Sequence, residues 1–331
     1  MRPIVVLGAG SWGTALAIQF ARGERPVVLW GRAEDEPELL ARERRNDRYL
    51  PGVAFPPSLA IEPDLARAVG SGEDLVLVVP SSVLRLVLQQ VKPMLGPHAR
   101  VAWASKGFEL STGKLPHQVA REVLGPGVPL AVLSGPTFAR EVGEGLPTAM
   151  AVASPDVGFA LELAESLSAG NFRAYTQTDI VGVEIGGAVK NVIAIATGGS
   201  DGMGYGSNSR VFLITRGLAE MVRLGVALGA RQETLMGLAG LGDLVLTCTD
   251  DQSRNRRFGR ALASGKPIEQ AIAEIGQVVE GYHAAKAVHL VAKKLGVEMP
   301  ICEHVYRVLY EGMSIPDVVE SMLRREVTPE N

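Results

Sequence analysis

Cysteine is nearly absent. Cys248 and Cys302 are the only two among 331 residues, too few for a disulfide framework or, alone, for a zinc site. Aromatic residues reach only 5%, so stacking platforms for single-stranded nucleic acid are scarce. A basic excess is missing as well. Lys and Arg total 33 against 36 Asp and Glu, a net charge of −3, which argues against nucleic acid as a partner. No apolar run approaches the ~18 residues of a membrane span, so membrane insertion is not expected. The first apolar run, Ile4 to Leu7, breaks at Gly8 and Gly10. That is too short for the core of a secretory leader, and a cytoplasmic location is the expectation.

Lysine is scarce too. There are eight, at positions 92, 106, 114, 190, 266, 286, 293 and 294, against 25 arginines. Any lysine in apolar surroundings therefore stands out. What remains is globular in character, with 47% hydrophobic and 21% charged residues. At ~150 residues per domain the length suggests two domains. Glycine is abundant at 38, which points to backbone positions with positive φ or close approach.

The chain changes texture near residue 178. Before it, short apolar runs alternate with helical stretches. The runs are Ile4–Leu7, Val27–Trp30, Leu75–Val79, Val101–Ala104, Leu130–Leu133, Ala149–Ala153 and Phe172–Tyr175. Continuous apolar strands of this kind are buried on both faces, and the spacing predicts βαβ units in a mostly parallel sheet. After it, helical spacing takes over. Helices are predicted at 179–197, 209–228, 254–263, 281–295 and 302–311, with Gly198-Gly199 stopping the first. Pro267, Pro300 and Pro316 suit helix starts. The predicted fold class is α/β: an N-terminal Rossmann-like, mostly parallel sheet domain over 1–178 and a C-terminal all-helical domain over 179–331. The helix near 179 is the candidate hinge.

Gly8-Ala9-Gly10-Ser11-Trp12-Gly13 has the form G-x-G-x-x-G. It follows a predicted strand and opens a helical stretch, the context such a motif needs. The first glycine makes the turn, the second admits a pyrophosphate, and the third lets the helix pack. The residues after the second strand bear on cofactor choice. An acid there would hold a ribose 2′-hydroxyl. This chain has Arg32, whose fork suits a 2′-phosphate. Glu34 and Asp35 follow closely and keep NAD open. A P-loop reading of Gly107–Lys114 fails, with one residue too many and no hydroxyl after the lysine.

Two lysines draw attention. Lys106 lies at the carboxyl end of the fourth predicted strand, where open α/β sheets bind ligands. Ser134–Ala139 follows the next strand and could line the same crevice. Lys190 sits on an otherwise apolar helix, after Gly186 and Gly187. Mid-helix glycine costs about 1 kcal/mol relative to alanine, so the pair suggests a close neighbour, ligand or backbone. A desolvated lysine has a lowered pKa and can exchange a proton near neutrality. A lysine snorkelling from a buried helix is the plainer alternative. Asp243, in Gly240-Leu241-Gly242-Asp243, could pair with a lysine or act only as a helix cap. Ser253-Arg254-Asn255-Arg256-Arg257 is a basic cluster in which Ser253 can cap a helix. Arginine there opposes the helix dipole unless an anion docks; otherwise the cluster is a solvated face balanced by Asp250 and Asp251. None of the five histidines falls in these segments, and there is no G-x-S-x-G elbow, so a histidine acid and a serine triad are both disfavoured.

Taken together, seven segments resemble the bacterial NAD(P)-dependent glycerol-3-phosphate dehydrogenases, in the family's order and over nearly the whole chain. They are Gly8–Thr14, Ser105–Gly107, Leu133–Ala139, Val189–Asn191, Gly240–Asp243, Ser253–Asn255 and Val279–Gly281. The resemblance implies reversible reduction of dihydroxyacetone phosphate to sn-glycerol 3-phosphate for phospholipid synthesis, with NADPH/NADP or NADH/NAD as cofactor. It implies that Lys190 donates the proton in ketone reduction and accepts it in alcohol oxidation. Lys106, Gly135, Thr137, Lys190, Asp243, Ser253, Arg254 and Asn255 would hold the small phosphate substrate. Gly8, Gly10, Ser11, Trp12, Gly13, Arg32, Lys106, Ala139, Arg254, Val278 and Glu280 would hold the cofactor. No metal is called for, since a cationic lysine can polarise the carbonyl. Tyr282 departs from the aliphatic residue common after Gly281. A homodimer is the base-rate expectation for an oligomer. Two rival readings stay open on the residues: a 3-hydroxyacid dehydrogenase, whose carboxylate would replace the phosphate, and a dinucleotide sensor without turnover.

Overall fold

A computed structural model of the chain describes residues 3–23 and 25–324. Among the described residues there are ten strands: β1 (Ile4–Leu7), β2 (Val27–Trp30), β3 (Arg45–Asn46), β4 (Leu50–Ala54), β5 (Leu59–Ile61), β6 (Asp74–Leu77), β7 (Arg100–Trp103), β8 (Leu130–Ser134), β9 (Thr148–Ala153) and β10 (Phe172–Gln177). Eight of them form one sheet in the order β10-β9-β8-β7-β6-β1-β2-β5. All its pairings are parallel except β8 with β9. The strand order reverses at β1, between β2 and β6, which makes a crevice at the carboxyl ends. All seven apolar runs singled out above are strands of this sheet. The short strands β3, β4 and β5 carry no such run and were not anticipated.

The helices between strands are α1 (Ser11–Arg22), α2 (Pro37–Glu43), α3 (Leu65–Ser71), α4 (Leu84–Val91), α5 (Pro116–Leu124), α6 (Ala139–Glu144) and α7 (Val157–Leu167). Alternate strand residues point to opposite faces. Ile4, Val6, Ala102 and Leu133 therefore join one core with α1 and α7, while Val5, Leu7, Leu77 and Trp103 join another with α4 and α5. Both faces are covered, which is why these strands read as unbroken apolar runs.

Among the described residues no strand follows Gln177. The helices there are α8 (Ile180–Gly202), α9 (Ser207–Ala227), α10 (Gln232–Leu235), α11 (Asp243–Thr249), α12 (Arg254–Ala263), α13 (Ile268–Ile275), α14 (Glu280–Leu295), α15 (Pro300–Tyr310) and α16 (Ile315–Leu323). The central one is α8. Asp179 caps it, accepting from the Gly182 N–H at 2.9 Å. It is long and apolar enough to cross a membrane, but 89% of that stretch is buried within the protein. Gly198-Gly199 does not stop it, contrary to expectation. A Cβ at Gly198 would sit 2.0 Å from the Arg256 carbonyl oxygen, and one at Gly259 2.1 Å from that of Ile195. These glycines let α8 and α12 cross backbone to backbone. The helix ends only at Gly202, before Gly204 with φ +79°.

A buried carboxylate ties α8 to the sheet. Glu184 Oε1 accepts from the Trp103 indole at 3.0 Å and from the His117 backbone N–H at 2.8 Å. Its Oε2 lies 2.5 Å from His117 Nδ1. Burial holds the Glu184 carboxyl above its ordinary pKa, with His117 acting against the rise. The contact sits between one and two turns before Lys190 and fixes that part of α8 over the carboxyl ends of the strands.

Candidate active site

The turn after β1 has the geometry its glycines require. Gly8 has φ +122°, and a Cβ there would come 2.4 Å from the Val78 carbonyl oxygen. A Cβ at Gly13 would lie 1.8 Å from the Gly8 carbonyl oxygen, so α1 rests directly on the turn. A Cβ at Gly10 would meet nothing within 4 Å; this is the open side. Gly10 starts α1 without a side-chain cap, and the first turn holds no acid. The N–H groups of Ser11, Trp12 and Gly13 are thus left for an anion. The buried Trp12 indole N–H has no partner among the described residues. These features fit a dinucleotide pyrophosphate. Asn46, not foreseen, braces the turn: its Nδ2 donates to the Ala9 carbonyl and to Thr14 Oγ1, both at 2.9 Å. Only long-range packing reveals this role.

Arg32 follows β2 with a side chain 66% exposed. Its Nε lies 3.6 Å from Asp35 and 3.9 Å from Glu34. Lys106 follows β7, three strand spacings away, or roughly 14 Å. Such a separation suits the two ends of an extended dinucleotide.

The chemistry-bearing groups converge where β7 and β8 end under α8. Lys106 Nζ donates to Asp243 Oδ2 at 2.7 Å and lies 3.5 Å from the Gly135 carbonyl oxygen. Lys190 Nζ donates to Asp243 Oδ1 and, at 2.9 Å, to Thr247 Oγ1. One buried carboxylate therefore holds two lysines from opposite halves of the fold. Gly186 and Gly187 explain themselves here. A Cβ at Gly186 would lie 2.2 Å from the Ala239 carbonyl oxygen, and one at Gly187 3.3 Å from the Lys106 side chain. The close neighbours are thus backbone, the Ser134 hydroxyl and the second lysine. Thr137 joins the same loop, with Oγ1 donating to the Gly135 carbonyl at 3.2 Å. Ser134 Oγ is buried there without a partner among the described residues. Thr247 was missed, although it lies one helical turn after Asp243, the spacing that puts two side chains on one face.

Burial lowers the Lys190 pKa to about 7. Asp243 opposes the fall and Lys106 adds to it. An ammonium has three N–H donors. Asp243 and Thr247 take two of them, which leaves one for a substrate oxygen.

The helical wall adds polar groups. Asn255 Nδ2 donates to Asn191 Oδ1 at 2.9 Å, and its Oδ1 accepts from the Gly281 N–H at 2.9 Å. Asn191, beside Lys190, is a second member that sequence reasoning left out of the site. Ser253 caps α12, its Oγ accepting from the Arg256 N–H at 3.2 Å. Its hydroxyl proton stays free to donate. Arg256 belongs to structure, bound to Asp201 and Asp251. Arg254 is different. Among the described residues its side chain makes one hydrogen bond, to Gln277 Oε1 at 3.4 Å. Burial lowers its pKa, and the nearby charge of Glu280 works against the fall. A desolvated guanidinium at a helix start is a receptor for an anion. Glu280 starts α14 and accepts from Ser81 Oγ at 3.3 Å. Burial pushes its carboxyl up to about 7. Ala139 is the first residue of α6, and Val278 stands 44% exposed on the approach to α14.

Comparison with known proteins gives the family. Residues 3–160 match the model of the NAD-dependent glycerol-3-phosphate dehydrogenase N-terminus, and residues 179–320 match that of its C-terminus. The glycerol-3-phosphate dehydrogenase [NAD(P)+] of Aeromonas salmonicida is 57% identical over 324 residues, 98% of this chain and 97% of the relative. That of Pseudoalteromonas translucida is 56% identical over the same shares. The crystal structure of glycerol-3-phosphate dehydrogenase from Coxiella burnetii superposes with a TM-score of 0.94 at 47% identity, covering 98% of this chain and 99% of that one. A ketopantoate reductase from Ralstonia eutropha shares only the fold, with a TM-score of 0.61 at 15% identity, 98% of this chain and all of that one.

Proposed function

This chain belongs to the NAD-dependent glycerol-3-phosphate dehydrogenase family and is an NAD(P)-dependent oxidoreductase acting on glycerol 3-phosphate; from that premise we propose how its own residues carry the reaction. The β1–α1 turn and Arg32 would hold the nicotinamide nucleotide, which would supply or accept the hydride. In the reductive direction the ketone C2 of dihydroxyacetone phosphate gains that hydride, and negative charge grows on its oxygen. Lys190 meets the charge with its remaining N–H and transfers the proton. In the oxidative direction neutral Lys190 takes the proton back. Asp243 orients Lys190 and Lys106 together, and Lys106 adds positive charge beside the reacting oxygen. Arg254 and the start of α12 receive the substrate phosphate, so that remote binding positions the carbon centre. Gly135, Thr137, Ser253 and Asn255 complete the substrate pocket.

The observation that carries this reading is the joint grip of Asp243 on two lysines from opposite halves of the fold. The same proposal divides the chain at 178/179, places the enzyme in the cytoplasm as a homodimer, and makes its product a precursor of phospholipids. The test is loss of NADPH absorbance on adding dihydroxyacetone phosphate. Turnover specific to the phosphorylated ketone supports the reading. Turnover with 3-oxo acids instead, or cofactor binding with no ketone-dependent oxidation, refutes it.

Arg32 gives a separate expectation. Its exposed fork suits a 2′-phosphate, and a charge-assisted contact is worth roughly 1.5–3 kcal/mol. Arg32→Ala should weaken NADPH about 10- to 100-fold and leave NADH binding nearly unchanged. Titration of each cofactor by fluorescence quenching measures both.

A further inference from the structure

The elements that carry the two lysines are linked at two points. One is the Asp243 carboxylate, which both lysines grip. The other is Glu184, on α8 and roughly 9 Å along the helix from Lys190. It accepts from the Trp103 indole and from the His117 backbone N–H, and its second oxygen meets His117 Nδ1. Trp103 closes β7 three residues before Lys106. Ser105, between them, donates to the Val79 carbonyl at 2.5 Å and ties the connection down. His117 is the second residue of α5, so its N–H is one of the free donors at a helix start. One carboxylate thus joins α8 to the strand that delivers Lys106 and to the helix that follows it.

Stability alone does not account for this link. Glu184 and Trp103 are both buried, and the core around them, with Val119, Ile180 and Val183, is apolar. Exchanging a buried ionic group and its partners for apolar side chains is often neutral or stabilising. Placement is what the link adds. Near the lysines α8 meets the strand ends through glycine: a Cβ at Gly187 would lie 3.2 Å from Ser134 Oγ and 3.3 Å from the Lys106 stem. Glycine lets the helix come close but offers no side chain to fix its register. Hydrogen bonds are directional and do fix it. The Asp243 contact is made by the reacting groups themselves, so it is not an independent reference for where they sit.

We infer that Glu184 is a positioning residue for the hydride-transfer reaction: its hydrogen bonds to Trp103 and His117 set the place of Lys190 relative to Lys106. The inference rests on the reading of Lys190 as the proton donor. A displacement of about 1 Å that starts far from the chemistry can cost about 100-fold in rate. The effect falls on kcat. Arg254 on α12 and the β1–α1 turn lie on other elements, so substrate and cofactor binding stay.

The test is kcat for dihydroxyacetone phosphate reduction per NADPH-binding site, with sites counted by fluorescence titration so that unfolded chains drop out. Glu184→Met fills the space and removes both acceptors. Its kcat per site should fall at least about tenfold, with KM for dihydroxyacetone phosphate within about threefold of the parent. Glu184→Gln keeps an oxygen for both N–H groups, and its amide can donate to neutral His117 Nδ1. It should stay within about threefold of the parent in kcat. Trp103→Phe removes one donor, leaves Glu184 with His117, and decides the matter if Glu184→Met does not fold. Its kcat per site should fall about threefold to tenfold. The parent and Lys190→Met run alongside, because failure of the lysine reading shows in those two and failure of this inference in the Glu184 and Trp103 variants. Three results overturn it. Parent kcat per site on fewer sites makes the link purely structural. A Glu184→Gln variant as slow as Glu184→Met assigns the effect to charge, not alignment. A KM that rises in step with the loss of kcat moves the effect to substrate binding.

Discussion

Lys190→Met lowers kcat for dihydroxyacetone phosphate reduction by about a thousandfold or more, while NADPH still binds. Two effects combine. Loss of a positioned proton donor costs roughly 10² to 10⁴, and loss of the charge facing the developing alkoxide costs a further 10² to 10³ where the two do not overlap. Methionine is chosen because it fills the space of the lysine stem and opens no cavity in α8. Asp243 keeps Lys106 as its partner at 2.7 Å, so the variant buries no unpaired carboxylate. Cofactor binding, read by fluorescence quenching, checks that the β1–α1 turn is intact. A variant that retains a tenth of the parent kcat would remove Lys190 from the chemistry and leave Lys106 as the candidate acid.

Much of this site could be read from the residues because each signal was local. The glycine turn needs only its strand and helix, and Gly8, Gly10 and Gly13 each meet the surroundings their positions imply. Ser253 caps the helix it precedes. The apolar strands were visible because both faces of the sheet are covered. What escaped depends on distant parts of the chain. Asn46 supports the turn across 37 positions, and no periodicity announces that. The pair β3 and β4 is short and half exposed, so it lacks an apolar run. Gly198 was read as a stop because a glycine pair has two meanings, a helix end or a helix crossing, and only the position of α12 decides between them. Lys106 and Lys190 were each suspect, but their meeting on one carboxylate requires the sheet and α8 to be in place. The burial that lowers Lys190 to about 7 follows from that assembly.

Asp243→Asn tests the assembly, and its decisive readout is a pH profile. In the parent, kcat/KM for reduction needs protonated Lys190 and should fall as pH rises through about 7. Oxidation needs the neutral amine and should rise through the same pH. Asp243 favours the charged form of Lys190, whereas burial and Lys106 oppose it. Removing the carboxylate therefore leaves two buried or half-buried ammonium groups facing each other without a counter-ion, and the Lys190 pKa falls further. Both midpoints should move to lower pH. At pH 7 Lys190 is then mostly neutral, and reduction should drop about 100-fold through lost protonation and lost orientation together. The overall equilibrium at a given pH is the same for both proteins, so kcat/KM for oxidation should fall by the same factor, and the displaced midpoints carry the test. A protein that merely folds less well would keep its midpoints. Midpoints that stay in place, or move to higher pH, would refute the view that one carboxylate sets the charge of both lysines.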